Sequence, residues 1–186
     1  MIVSHGVLVA VAGVLLLLPI ISAFNGLVAL RNRVRNAWSD VEVQLERRHD
    51  LIPNLVEAVR GYMDDERGTL EAVTSARARA IASGGNVAAC AFAENALTGA
   101  VGKIFAVAER YPALRAVESV QLLQEQLIST ENRIAFARQF YNDCVMEYNT
   151  AQMTFPRNIV ASALGFSRAM MFTGNEPSLR NPSVKL

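Results

Sequence analysis

Apolar residues follow two regimes along this chain. From Met1 to Leu30 there is no Asp, Glu, Lys or Arg, and Val7 to Phe24 is an almost unbroken run of Val, Ala, Leu, Ile and Gly, interrupted by Pro19 and Ser22. That run is near the lower limit for crossing a hydrocarbon layer roughly 30 Å thick, and Ile2, Val3, Leu27 and Val28 extend it. Pro19 would kink a helix there, a distortion that a membrane span tolerates. Further on, Leu27, Leu30, Val34, Ala37, Val41 and Leu45 recur at steps of three and four, the signature of an amphipathic helix. The span and the first amphipathic helix are therefore expected to join, with Asn25-Gly26 as the soft point.

The next predicted break is Asp50-Leu51-Ile52-Pro53, where Asp50 can cap a helix and Pro53 can sit in its first turn. Helix two would run from there to about Ile81 on the apolar line Ile52, Val56, Val59, Met63, Leu70, Val73, Ala80. Ser83-Gly84-Gly85-Asn86 predicts a turn. Helix three, alanine-rich, is expected from about Ala88 to Arg110, and Tyr111-Pro112 punctuates it. Helix four carries the strongest periodicity, with Val120, Leu123, Leu127, Thr130, Ile134, Ala137, Tyr141, Cys144 and Tyr148 at steps of three and four. A helix from about Ala113 to Thr154 would be roughly 60 Å long. After Phe155-Pro156 the chain turns irregular, with Gly174, Pro177 and Pro182 in an extended tail. No window alternates as a strand does. The expected fold is all-α: an N-terminal transmembrane helix (1–30), an elongated antiparallel bundle of three to four long helices (31–160) and an irregular C-terminal tail (161–186).

Charge refines this picture. Arg31, Arg33 and Arg35 follow the apolar run directly, and Arg47 and Arg48 come soon after. Positive charge beside a span stays in the cytoplasm, so the expected arrangement is single-pass in the inner membrane, N-terminus outside, bundle cytoplasmic. The three arginines read as membrane-surface contacts. A cleaved secretory signal would need a basic start and a small-x-small cleavage site. Ile2 to Gly6 contains no Lys or Arg, and Ile21 occupies the first position of Ile21-Ser22-Ala23. The net charge of +1 over 186 residues excludes a nucleic-acid binder of the usual basic kind. Cys90 and Cys144 lack metal-ligand spacing and read as core side chains.

The search for chemistry yields no catalytic residue, no cofactor and no metal site. Glu46-Arg47-Arg48-His49 has the Glu-x-x-His spacing of a di-iron helix, but such a centre needs a second copy, and the other histidine is His5. His49 reads instead as a helix-end or loop residue. Cys144 with His49 is the one nucleophile-base pairing left open, and Cys144 lies on an apolar seam. Ser83-Gly84-Gly85 follows a helix rather than a strand and lacks the Gly-Lys-Ser/Thr ending of a phosphate loop. More informative are charges on faces expected to be buried. Arg48, Glu66, Arg77, Glu131 and Arg138 are predicted to form cross-helix pairs that fix register; the competing arrangement carries their heads to solvent. Asn142 and Asn149 read as structural, and Tyr62, Tyr111, Tyr141 and Tyr148 as core, with a ligand groove as the alternative.

A family resemblance rests on Asn25, Ala37-Trp38-Ser39, the dense stretch Asp40 to Glu57 with Arg47-Arg48-His49-Asp50-Leu51-Ile52-Pro53-Asn54-Leu55-Val56, then Ala76-Arg77-Ala78, Ala108-Glu109-Arg110-Tyr111-Pro112, Leu122-Leu123-Gln124, Thr130-Glu131-Asn132, Arg138, Tyr141-Asn142, Tyr148-Asn149, Phe155-Pro156 and Arg180-Asn181-Pro182-Ser183-Val184. In these residues the chain resembles the LemA family of bacterial membrane-anchored proteins, one branch of which looks like the MamQ proteins of magnetosome membranes. The resemblance implies one N-terminal span and a cytoplasmic bundle of long helices, and it supplies no reaction. The chain departs from the family pattern at Asp65-Glu66, where a His-Glu pair is common, and at Met171-Phe172-Thr173, where an aromatic pair and an acid are usual. The resulting expectation is a non-enzymatic scaffold or adaptor, held in lipid by its N-terminal helix and presenting its bundle to protein partners or to a second copy. The alternatives are a binding module for a peptide or small molecule and a MamQ-like magnetosome-membrane protein.

Overall fold

The computed structural model describes the backbone of residues 2–173, and the side chains of residues 17–173 apart from those of Asp64 and Arg115. Among the described residues every regular element is helical: α1 (Ile2–Arg60), a short 3-10 turn (Asp64–Glu66), α2 (Arg67–Ala82), α3 (Val87–Ala108), α4 (Pro112–Arg115), α5 (Glu118–Ala151) and α6 (Arg157–Ala163). Helix α1 passes unbroken through Asn25-Gly26. The anchor expectation at residues 1–30 falls partly on side chains outside the described residues, and within those described no helix is long and apolar enough to cross a membrane. The Gly174 to Pro182 part of the expected tail also lies outside them.

The predicted break at Asp50 to Pro53 does not occur, and both residues lie inside α1. A proline inside a helix deprives the carbonyl four residues earlier of its N–H donor, which here is the carbonyl of His49. Arg77 of α2 fills that place, its Nε donating to the His49 carbonyl oxygen at 2.7 Å. A tertiary contact thus overrides the local preference of proline to start a helix. The break falls instead after Arg60, where Tyr62 N donates to the Val59 carbonyl (3.0 Å) and Met63 leaves the helical region at φ −125°, ψ 41°. Met63 is wholly buried, so the apolar line runs through the break and hides it from periodicity.

The expected turn is present. Gly85 has φ 91°, a left-handed conformation natural to glycine, and Asn86 caps α3 by accepting from the backbone N–H groups of Ala88 (3.0 Å) and Ala89 (3.1 Å). The predicted fourth helix is split. Pro112 opens the one-turn α4, and α5 starts at Glu118, whose charge suits the positive end of the helix dipole. A further helix, α6, follows Pro156, where irregular chain was expected.

The chain divides into two compact units, Asp40–Gln139 with Met171–Leu186, and Met1–Ser39 with Phe140–Met170. The core of the former is a helical bundle: Ile52, Leu55 and Val59 of α1, Leu70 and Val73 of α2, Leu97 and Ile104 of α3, Leu114 of α4 and Leu127 of α5 are buried together. In the latter, Ala23 and Leu27 of α1 pack with Ala151 of α5 and with Val160 and Ala161 of α6. There the irregular segment after α6 is tied to α5. Tyr141 Oη donates to the Met170 carbonyl (2.7 Å), Tyr148 Oη to the Ser167 carbonyl (3.2 Å), and Asn149 and Ala169 exchange two bonds of 2.9 Å. These bonds supply the partners that an irregular backbone lacks internally.

Candidate functional site

The densest polar chemistry lies inside the Asp40–Gln139 unit. Arg48 of α1 is 3% exposed, so its charge needs partners inside the protein; both Nη groups have them, whereas the buried Nε has none. Its partners come from two other helices. One Nη donates to Thr98 Oγ1 (2.9 Å) on α3 and to Glu131 Oε2 (2.6 Å) on α5. The other forms an ion pair with the carboxylate of Glu94 and reaches its backbone carbonyl at 3.4 Å. Glu94 and Thr98 stand one turn apart on α3 and so share a face. Glu94 is also 3% exposed, whereas the Glu131 side chain keeps 43% of its surface in water.

His49, adjacent to Arg48, sits within α1 rather than at a helix end, and its Nε2 lies 2.7 Å from Glu94 Oε1. Burial, reinforced by the Arg48 and Arg77 guanidiniums, pushes its pKa down from 6.5 to about 4. The imidazole is neutral at pH 7. Because an ionised carboxylate only accepts, Nε2 must carry the proton and donate it to Glu94. Burial likewise lowers the Arg48 pKa, opposed by Glu131, and the guanidinium stays charged.

The five charges expected to pair with one another are distributed differently. Arg48 and Glu131 meet. Glu66 pairs with Arg110 at 2.8 Å, Arg77 serves the His49 carbonyl, and Arg138 lies 4.6 Å from the centroid of the buried Phe172 ring, acting on Arg48 only through space. Glu94, the central acid, was not among the five. One signal marked it: it is the lone charged residue between Asn86 and Lys103, in a helix otherwise built of apolar and small residues. Of the tyrosines, Tyr141 and Tyr148 are buried, and Tyr62 is 45% exposed.

This arrangement has little capacity for turnover. The proton on His49 Nε2 is engaged by Glu94, and an imidazole of pKa about 4 is a weak base at pH 7. Burial pushes both thiols, Cys90 and Cys144, up, so neither rests as thiolate. Among the described residues no group of three or more His, Cys, Asp or Glu is placed to hold a metal. Concavities flank the bundle. A cleft of about 170 Å³ opens onto Arg48 and Glu131 between Phe105 and Leu127, and an open groove of about 570 Å³ runs along α1 and α2, walled by Val56, Met63 and Leu70 with Arg60, Arg67 and Glu71 beside them.

Comparison with known proteins places these elements in a family context. The LemA family profile matches residues 37–186. Two magnetosome proteins of Paramagnetospirillum magneticum (strain ATCC 700264 / AMB-1), MamQ 2 and MamQ 1, are each 25% identical over 174 residues, covering 80% of this chain and 64% of theirs. Magnetosome protein MamQ of Magnetospirillum gryphiswaldense (strain DSM 6361 / JCM 21280 / NBRC 15271 / MSR-1) is 24% identical with the same coverage. The chain thus spans just under two thirds of the length of these relatives.

Proposed function

On the premise that this chain belongs to the LemA family, we propose that it is a non-enzymatic scaffold or adaptor anchored in a membrane by the N-terminal part of α1. The observation that carries this reading is the exposure of Leu17, Leu18, Ile20 and Ile21, 50–58% each, on a helix that holds no charged side chain before Arg31. Large apolar side chains left uncovered over a wide arc of a helix call for lipid rather than water. Arg31, Arg33 and Arg35, directly beyond the run, favour a single pass in the inner membrane with the bundle on the cytoplasmic side. The Arg48–Glu94–Glu131 cluster fits a structural task. A buried ion pair contributes less to stability than its Coulomb attraction suggests, and it penalises any register of α1, α3 and α5 that leaves a charge unpaired. The partners of such a scaffold are lipid, through α1, and proteins or a second copy of the chain, through the bundle; nucleic acid is not among them.

Alkaline carbonate extraction tests the anchor. The full chain is expected in the membrane pellet, and a variant lacking residues 1–30 in the supernatant; release of the full chain overturns the reading. For the scaffold role, detergent-solubilised protein that is strictly monomeric and co-purifies with no membrane protein would remove its support. A second reading, a module for a peptide or small molecule, is favoured by the groove of about 570 Å³ on α1 and α2, a size in the range of ligand pockets. A ligand-dependent rise in melting temperature, lost when the exposed groove residue Ala78 is replaced by tryptophan, would select it. A place at a magnetosome membrane, as the names of the MamQ relatives suggest, is the third.

A further inference from the structure

Another concavity lies in the unit formed by residues 1–39 and 140–170, where the uncharged part of α1 gives way to arginine. The cleft is about 390 Å³, walled by Phe24 and Val28 of α1 and by Leu164 and Phe166 after α6, with Arg31 and Arg35 at its far end. Among the described residues no carboxylate lines it. Phe24, Val28, Arg31 and Arg35 follow steps of three and four, so one stripe of α1 passes from apolar to cationic within three turns. From Phe24 to Arg31 the axial distance is about 10 Å, short enough for a flexible arginine to meet the phosphate of a lipid whose chains lie against the phenylalanine.

The opposite wall is built rather than incidental. Val160 and Ala161 of α6 pack on Ala23 and Leu27, the Phe24 and Phe166 rings meet edge to face at 6.0 Å, and the Arg157 guanidinium lies against Gly26, 3.3 Å from where a Cβ would stand. The outer side of this element remains apolar and uncovered: Phe155 is 76% exposed, Ile159 60% and Leu164 58%. Those side chains flank the cleft in the same unit as the exposed Leu17 to Ile21 run.

We propose that this cleft is a binding site for an anionic phospholipid, with the phosphate headgroup on Arg31 and Arg35 and the acyl chains along Phe24, Leu164 and Phe166, and that α6 lies in the membrane interface beside it. The proposal rests on the membrane-anchor reading above. A soluble anion would leave the apolar wall wet, and an apolar ligand would leave two guanidiniums unmatched; a phospholipid satisfies both halves. Arg33 is excluded from the cleft lining and pairs with Glu147 at 2.9 Å, so it serves as an internal control.

The test uses the full chain, purified in a zwitterionic detergent and titrated with dioctanoyl phosphatidylglycerol, with the phosphatidylcholine of the same chains, or with inorganic phosphate, following the melting temperature. Phosphatidylglycerol alone is expected to raise it. Arg31→Gln/Arg35→Gln should weaken that binding about thirtyfold, from roughly fivefold for each charge, whereas Arg33→Gln should leave it within about twofold and Arg31→Lys/Arg35→Lys should retain the selectivity. Equal responses to the two lipids, an equal response to phosphate, unchanged binding in the double glutamine variant with its helical signal intact, or a second copy of the chain occupying the site in light scattering would each overturn the proposal. Carbonate extraction of the same protein separates the two readings. A chain that stays in the pellet without lipid selectivity keeps its anchor and loses the cleft, and a chain washed from membranes that still selects phosphatidylglycerol keeps the cleft and loses the anchor.

Discussion

Replacing Arg48 with methionine preserves the length of the side chain while removing its charge, and it strands the Glu94 carboxylate at 3% exposure with the neutral His49 imidazole as its named partner. Removing one member of a buried ion pair typically costs about 3–5 kcal/mol, because the other charge keeps its desolvation penalty and loses its compensation. Glu131 limits the damage on its own side: with 43% of its side-chain surface in water, it rehydrates when Arg48 is gone. Thr98 loses one donor to its hydroxyl, worth about 1 kcal/mol. The single variant should therefore fall in the upper part of the 3–5 kcal/mol range. Arg48→Met/Glu94→Met removes both charges, and apolar replacement of a whole buried pair is often neutral or stabilising. The double variant should recover at least about 2 kcal/mol of the loss, with roughly 1 kcal/mol withheld because His49 Nε2 loses its acceptor. Urea denaturation at pH 7, followed by the helical circular dichroism signal with the slope checked for constancy, measures both. A single variant that loses less than about 1 kcal/mol, or a double variant no better than the single, would refute the reasoning.

Two further outcomes follow from the same unit. The pKa of His49 is about 4 in the folded chain against an ordinary 6.5, so between those values the unfolded chain binds the extra proton, and stability should fall as pH drops through 6.5 towards 4. The side chain is 12% exposed, and the contribution lost is at most about 3 kcal/mol. His49→Gln keeps an N–H for Glu94 without titrating, and should flatten the stability–pH profile in that window; an unchanged profile would discard the assignment. Arg77→Ala leaves the His49 carbonyl without a donor and should cost about 1–3 kcal/mol. In a Pro53→Ala background, where residue 53 regains its N–H, the same change should cost clearly less, and equal costs in the two backgrounds would show that Arg77 does not serve that carbonyl.

Much of the helical architecture is legible along the chain because helix periodicity, capping and turn chemistry are local. The Ser83-to-Asn86 turn, the alanine-rich third helix and the seam carrying Tyr141, Cys144 and Tyr148 all depend on spacings within a few residues. Pro53 is the instructive exception. Its local meaning is a helix start, and the helix persists because Arg77, distant in sequence, supplies the donor that proline lacks. The true end of α1 was hidden for the converse reason, since Val59 and Met63 keep the apolar line going while the backbone turns.

The residues alone determined the uncharged first thirty positions, the arginines that follow, the near-neutral balance and the helical class, since each is a property of composition or short-range period. Only the tertiary structure decided which charges meet. Arg48 chose Glu94 and Glu131, Glu66 chose Arg110, and Arg138 chose an aromatic ring, because pairing in a low-dielectric interior depends on which helix faces arrive at the same level, and no local pattern encodes that. The same holds for the cleft at Arg31 and Arg35, whose second wall comes from Leu164 and Phe166, more than a hundred residues away along the chain.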